Sequence, residues 1–127
     1  MDHFTYKEHV DYILNNTVVD ATIESIRGNH IILNLTDCNS KITTRANNEN
    51  ILKRWKKGQE FKLFNRVDVR SNIDKMIYEG YVSDIFDDKI NIKYNLRGKI
   101  CTEELEINSK NIYPVGTLSS KFNPNKY

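Results

Sequence analysis

The chain has 127 residues, is 39% apolar and 28% charged, and carries a net charge of +2. That length suits one domain or two very small ones, and the composition excludes a disordered chain. No apolar run approaches the ~20 residues that cross a bilayer, so no membrane association is expected.

Residues 1–16 read as a short N-terminal helix. Thr5-Tyr6-Lys7-Glu8 fits a capping box, with a hydroxyl at the cap and a carboxylate three residues on. Tyr6, Val10, Ile13 and Leu14 recur at helical spacing, and Asn15-Asn16 can adopt the left-handed geometry that ends a helix. After Asn16 the period changes to two. Val19, Ala21 and Ile23 lie on one face, Arg27-Gly28-Asn29 supplies a turn, and Ile31, Leu33 and Leu35 return. Residues 41–45 make a third short strand. Asn47-Asn48 can cap a short helix carrying Ile51, Leu52 and Trp55, which Gly58 ends. Residues 60–69 make a fourth strand. Residues 76–85 and 89–94 form a second hairpin across Asp87-Asp88, which residues 98–102 continue. Residues 118–127 are polar, and Pro124 argues against a central strand there.

The second hairpin repeats the first. With Asp20-Ala21-Thr22-Ile23 set on Glu79-Gly80-Tyr81-Val82, Ile26 meets Ile85, Ile31 meets Ile90, Leu33 meets Ile92 and Leu35 meets Tyr94. After one deleted loop residue, Lys41-Ile42 meets Lys99-Ile100, Trp55 meets Tyr113 and Gly58 meets Gly116. Such self-similarity implies a duplicated unit. The chain therefore reads as mainly β, with tandem small β-barrels of the SH3-like or OB-like kind. The first barrel spans 17–70. The second spans 76–117 and is incomplete, because residues 117–127 lack the alternation of a closing strand. An unfinished barrel leaves an open edge for a partner strand.

Charge is uneven. Residues 41–75 hold ten basic residues against four acids, a net +6, and the remainder carries nine bases and thirteen acids, a net −4. The acids gather at Asp84, Asp87 and Asp88 and at Glu103, Glu104 and Glu106. Such polarity suits a polyanion at one pole, or head-to-tail stacking of copies. Cys38 and Cys101 form neither a CxxC motif nor a disulfide framework, and Met1-Asp2-His3-Phe4 is no signal peptide. Both points fit a reduced cytoplasmic setting. Asn, Ile, Lys and Tyr supply 51 residues and Ala only two, which reads as an AT-rich coding genome, such as a low-GC bacterium or its phage.

The hairpin, helical turn and Lys57-Gly58-Gln59-Glu60-Phe61 together resemble S1-type RNA-binding barrels over residues 17–69. That resemblance implies basic and aromatic residues on a strand face, nearest here to Phe61, Lys62, Phe64 and Arg66. Arg66-Val67-Asp68-Val69-Arg70 has the RxxxR spacing of PilZ cyclic-dinucleotide receptors. Phe86 and Lys89 stand where that family's companion motif needs Ser and Gly, so its loop chemistry is lost.

Catalytic signatures are missing. His3, His9 and His30 have no zinc-ligand spacing, and neither a phosphate-binding loop nor a nucleophile elbow occurs. The sequence thus implies no catalytic residues, no metal and no cofactor. It reads as a non-catalytic interaction protein, a structural or adaptor component of a larger assembly such as a phage virion or a phage–host complex, with a protein partner or further copies of itself. Its partner-binding residues are Lys53, Arg54, Lys56, Lys57, Lys62 and Arg66. The alternative is a single-stranded nucleic-acid-binding module that uses the same residues around Trp55, Phe61 and Phe64.

Overall fold

The computed structural model describes residues 4–36 and 39–116. His3, Cys38 and the polar tail 118–127 lie outside them. The described residues form ten strands and no helix: β1 (His9–Leu14), β2 (Thr17–Arg27), β3 (His30–Leu35), β4 (Ser40–Arg45), β5 (Ile51–Lys53), β6 (Arg66–Arg70), β7 (Ile77–Ile85), β8 (Lys89–Leu96), β9 (Lys99–Glu106) and β10 (Ile112–Pro114). They build two antiparallel five-stranded sheets, ordered β4-β3-β2-β1-β5 and β10-β6-β7-β8-β9. The chain divides into two compact units, Met1–Arg54 and Trp55–Tyr127, with one sheet in each.

The expected N-terminal helix is instead a turn and a strand. Glu8 does accept from the Thr5 amide (2.9 Å) and hydroxyl (3.2 Å), but the box closes a single turn. Lys7 then takes a positive φ of 65°, which breaks any helix. Val10, Tyr12 and Ile13 favour a pleated surface, and β1 has strand partners on both sides, β2 and β5. Asn15 and Asn16 do adopt left-handed geometry (φ 52° and 63°), as the two-residue loop of the β1–β2 hairpin.

The helical turn expected around Ile51 is also a strand, β5, with Ile51 buried opposite Tyr12. The strand expected over residues 60–69 begins only at Arg66, because Phe64 sits at φ 71° and cannot continue an extended run. This strand pairs with β7 and β10, so it opens the second sheet rather than closing the first. With β6 in place, the second sheet has five strands and is not short of one.

The repeat is real in its hairpins and differs in register beyond them. Ala21 opposes Leu35 as Gly80 opposes Tyr94, and both ladders shift at the same point, between Ile23 and Ser25 and between Val82 and Asp84. A shared bulge at a shared position is not dictated by alternation alone. In the third strands the correspondence changes. Leu33 opposes Ile42, whereas its counterpart Ile92 opposes Glu103, so Lys41-Ile42 does not match Lys99-Ile100. Likewise Tyr113 opposes Asp68 as Leu52 opposes Asp11, so Trp55 is not its counterpart.

Each unit has its own core. Val10, Tyr12, Ala21, Ile23, Ile31, Leu33, Leu35 and Ile51 fill the first. Val67, Val69, Val82, Ile90, Ile92, Tyr94 and Ile112 take matching places in the second, where Trp55, Tyr78 and Leu105 add bulk.

Candidate partner-docking surface

The residues singled out in the sequence do not form one basic patch. Lys53 leaves β5 toward Glu8, with Nζ 2.8 Å from Oε2, and lies over the Phe4 ring. Arg54 pairs with Asp20 and brings Nε to 3.9 Å from Asp11. Arg66, at the start of β6, holds Glu79 at 2.9 Å. These three cations thus each face a carboxylate of the same chain. Lys56, Lys57 and Lys62 are exposed, and Lys57 lies 4.5 Å above the Tyr113 ring. Trp55 is a core residue, 5% exposed, stacked on Phe61 and donating its indole N–H to Gln59 O. Phe64 stacks on Tyr81. Arg70 donates to Lys75 O, so the two arginines of the RxxxR spacing have separate partners.

Acids, rather than bases, are gathered by the fold. The antiparallel β8–β9 register sets Lys89 opposite Glu106 and Asn91 opposite Glu104. The Ile107 amide then donates to Asp88 O at 3.0 Å, and the Phe86 amide to Lys89 O at 2.8 Å. Two stretches twenty residues apart in sequence therefore meet at the Asp87-Asp88 turn. Phe86 and Ile107, each 45% exposed, flank that turn, and Ile85 is 40% exposed beside them. Asp84, Asp87, Asp88 and Glu106 are exposed around them. The result is a set of exposed apolar and acidic residues at one turn, at one end of the second sheet. The sequence signal was an aromatic inside an acidic turn. Ile107 joins it only through the register of β9.

At residues 71–76 the second unit carries a buried polar network. Glu103 is 8% exposed, and its Oε1 accepts from Tyr94 Oη (2.6 Å) and from the Asn72 amide (2.7 Å). Tyr94 Oη also meets Ser71 Oγ at 2.8 Å. Burial, then the Glu103 carboxylate, push the Tyr94 hydroxyl up to about 12. The neighbouring Tyr78 donates to Asp74, which holds the Asp74 carboxyl below its usual range. This network ties the β6–β7 connection to β8 and β9.

In the first unit, Asn29, His30, Arg45, Ala46 and Asn47 line an open groove of about 440 Å³. Among the described residues, no group of three or more His, Cys, Asp or Glu side chains could hold a metal ion. No helix among them is long and apolar enough to cross a membrane. Cys101 is a half-buried free thiol.

No family model and no curated protein matches the chain. Among solved structures, it is similar to the four MBT repeats of Drosophila melanogaster Sfmbt in complex with the peptide RHR(me)KVLR. The TM-score is 0.40 and the identity 8%, over 91% of this chain and 39% of that one.

Proposed function

We propose that the chain is a non-catalytic protein-interaction module built from two small SH3-like barrels. We further propose that the second unit docks a basic, apolar-anchored protein segment at Phe86 and Ile107. The strand order supports the first part: each sheet is a meander of four strands whose fifth returns beside the first, the order of an SH3-like rather than a Greek-key barrel. The single observation that carries the second part is that Phe86 and Ile107, both exposed, are brought to one turn together with the exposed Asp84, Asp87, Asp88 and Glu106. Large apolar groups with a polar rim are the usual anatomy of a contact surface. An acidic rim selects a cationic partner and speeds encounter with it. The basic residues support nucleic-acid binding less well, because Trp55 is in the core and Lys53, Arg54 and Arg66 already face carboxylates.

The test is selection of a random-peptide display library on the full chain. Selected peptides should place Lys or Arg beside a bulky apolar residue. Phe86→Ser, and separately the pair Asp87→Lys with Asp88→Lys, should weaken them about tenfold or more. Selected peptides without cations, or equal binding to both variants, would overturn the reading.

A further inference from the structure

The long edge strands of the two sheets are complementary in charge. Among the described residues, β4, β5, β9 and β10 each have a strand neighbour on one side only, and β4 and β9 are the long ones, with six and eight residues against three. Exposed edges are templates for another strand, and natural sheets commonly blunt them with charge. Here the two edges carry opposite charge: Lys41 and Arg45 are exposed on β4, Glu104 and Glu106 on β9.

We propose that copies of this chain join head to tail, with β4 of one copy adding as a sixth strand to β9 of the next. This goes beyond the docking of a peptide at Phe86. The backbone supports it. The Ala46 amide donates to Asn29 O (2.7 Å), and the Ile107 amide to Asp88 O (3.0 Å). Bonded and non-bonded pairs alternate along an antiparallel ladder. Counted from those two bonds along the register, Lys41, Thr43 and Arg45 turn their backbone groups away from β3. Thr102, Glu104 and Glu106 likewise turn theirs away from β8. An antiparallel addition sets Lys41 opposite Glu106, Thr43 opposite Glu104 and Arg45 opposite Thr102. The Arg45 side chain is then diagonal to Glu104, within reach of a long side chain.

Charge also selects against the other pairings. Two β4 edges would oppose cations and two β9 edges would oppose carboxylates, and like charges directly opposite are destabilising. Of the pairings between these two long edges, only the unlike one remains. The ion pairs it must exchange are weak surface pairs, Lys41 with Glu24 (2.8 Å) and Lys89 with Glu104 (3.6 Å).

The test uses two charge-reversed chains and the wild type, under reducing conditions, by sedimentation velocity over a wide concentration range. Chain one carries Lys41→Glu and Arg45→Glu; chain two carries Glu104→Lys and Glu106→Lys. The wild type should assemble with concentration, more strongly at low salt. Each reversed chain alone has two like-charged edges and should assemble about tenfold more weakly or worse. An equal mixture of the two should restore assembly, which no folding defect can mimic. Hydrogen exchange should slow at the amides of Lys41, Thr43, Thr102 and Glu104 in the assembled state. A wild type that stays monomeric at low salt, reversed chains that assemble as well as wild type, or a mixture that does not rescue would each overturn the proposal. Phe86→Ser should leave assembly intact, which separates this contact from the peptide-docking surface.

Discussion

Asp11 and Asp68 hold the same place in the two sheets. Each is the third residue of its sheet's first strand and is fully buried. Each lies directly opposite a second acid, Asp20 or Glu79. Arg54 faces both Asp11 and Asp20, and Arg66 holds Glu79. The acids correspond between the units, while the arginines come from different positions, after β5 and at the start of β6.

Arg54 is therefore a structural cation. Replacing it with Met keeps much of the packing but removes the positive charge beside buried Asp11 and Asp20. Breaking a buried pair from one side costs about 3–5 kcal/mol, and the partial exposure of Arg54 argues for the low end. Urea unfolding of Arg54→Met should show that loss for the first unit. A change within about 0.5 kcal/mol, typical of a surface site, would show that Asp11 is satisfied in another way.

Asp11 also explains part of what the sequence concealed. The hairpins were legible because Ile31, Leu33, Ile90 and Ile92 alternate cleanly and their loops are short. Strand β1 was not, because Val10-Asp11 puts a carboxylate where a core strand should be apolar; β6 was legible as a strand, but one beginning at residue 60. The Thr5 to Glu8 box then favoured a helix, since a capping turn is the same local structure whether or not a helix follows it. Of the docking surface, the acids were visible as two clusters. Their union with Phe86 and Ile107 depends on the β8–β9 register, which no local pattern encodes. The pairing of Lys53, Arg54 and Arg66 with carboxylates was hidden for the same reason.

Gly80 should be nearly irreplaceable, although Ala21 fills the matching position in the first sheet. A Cβ on Gly80 would lie 2.6 Å from the Lys93 carbonyl oxygen and 2.9 Å from Ile92 Cγ2. The first obstacle is backbone, so β8 itself must move. Overpacking of this kind costs about 1–3 kcal/mol, and Gly80→Ala should lower the thermal midpoint of the second unit accordingly. An unchanged or raised midpoint would mean that β7 and β8 separate freely.

Two groups set opposite pH limits. Burial pulls the Glu8 carboxyl upward, but its bonds from Lys53 and Thr5 prevail and hold it below 4.5. A depressed carboxyl contributes stability above its unfolded value and loses it as pH falls through the folded one. Glu8→Gln should therefore flatten the acid limb of stability below about pH 4.5. Tyr94, raised to about 12, does the reverse: its contribution is complete below pH 10 and is lost as pH rises toward 12. Tyr94→Phe should flatten that alkaline limb. Urea midpoints measured across both ranges check the two signs, and limbs that keep their slopes in the variants would refute the assignments.

Glu103 should govern the residues between β6 and β7. Its Oε1 accepts from both the Asn72 amide and Tyr94 Oη, so the carboxylate joins the connection to the strands beneath it. Glu103→Ala leaves those donors without that acceptor, at a cost of about 1–3 kcal/mol. Glu103→Gln keeps a carbonyl oxygen in place and should recover most of the loss. Hydrogen exchange at the Asn72 amide distinguishes a local tie from a general contribution to the core. It should accelerate in the Ala variant well beyond the amides of β7 and return toward wild type in the Gln variant. Uniform acceleration through the second unit would instead make Glu103 an ordinary core residue with no hold on this connection.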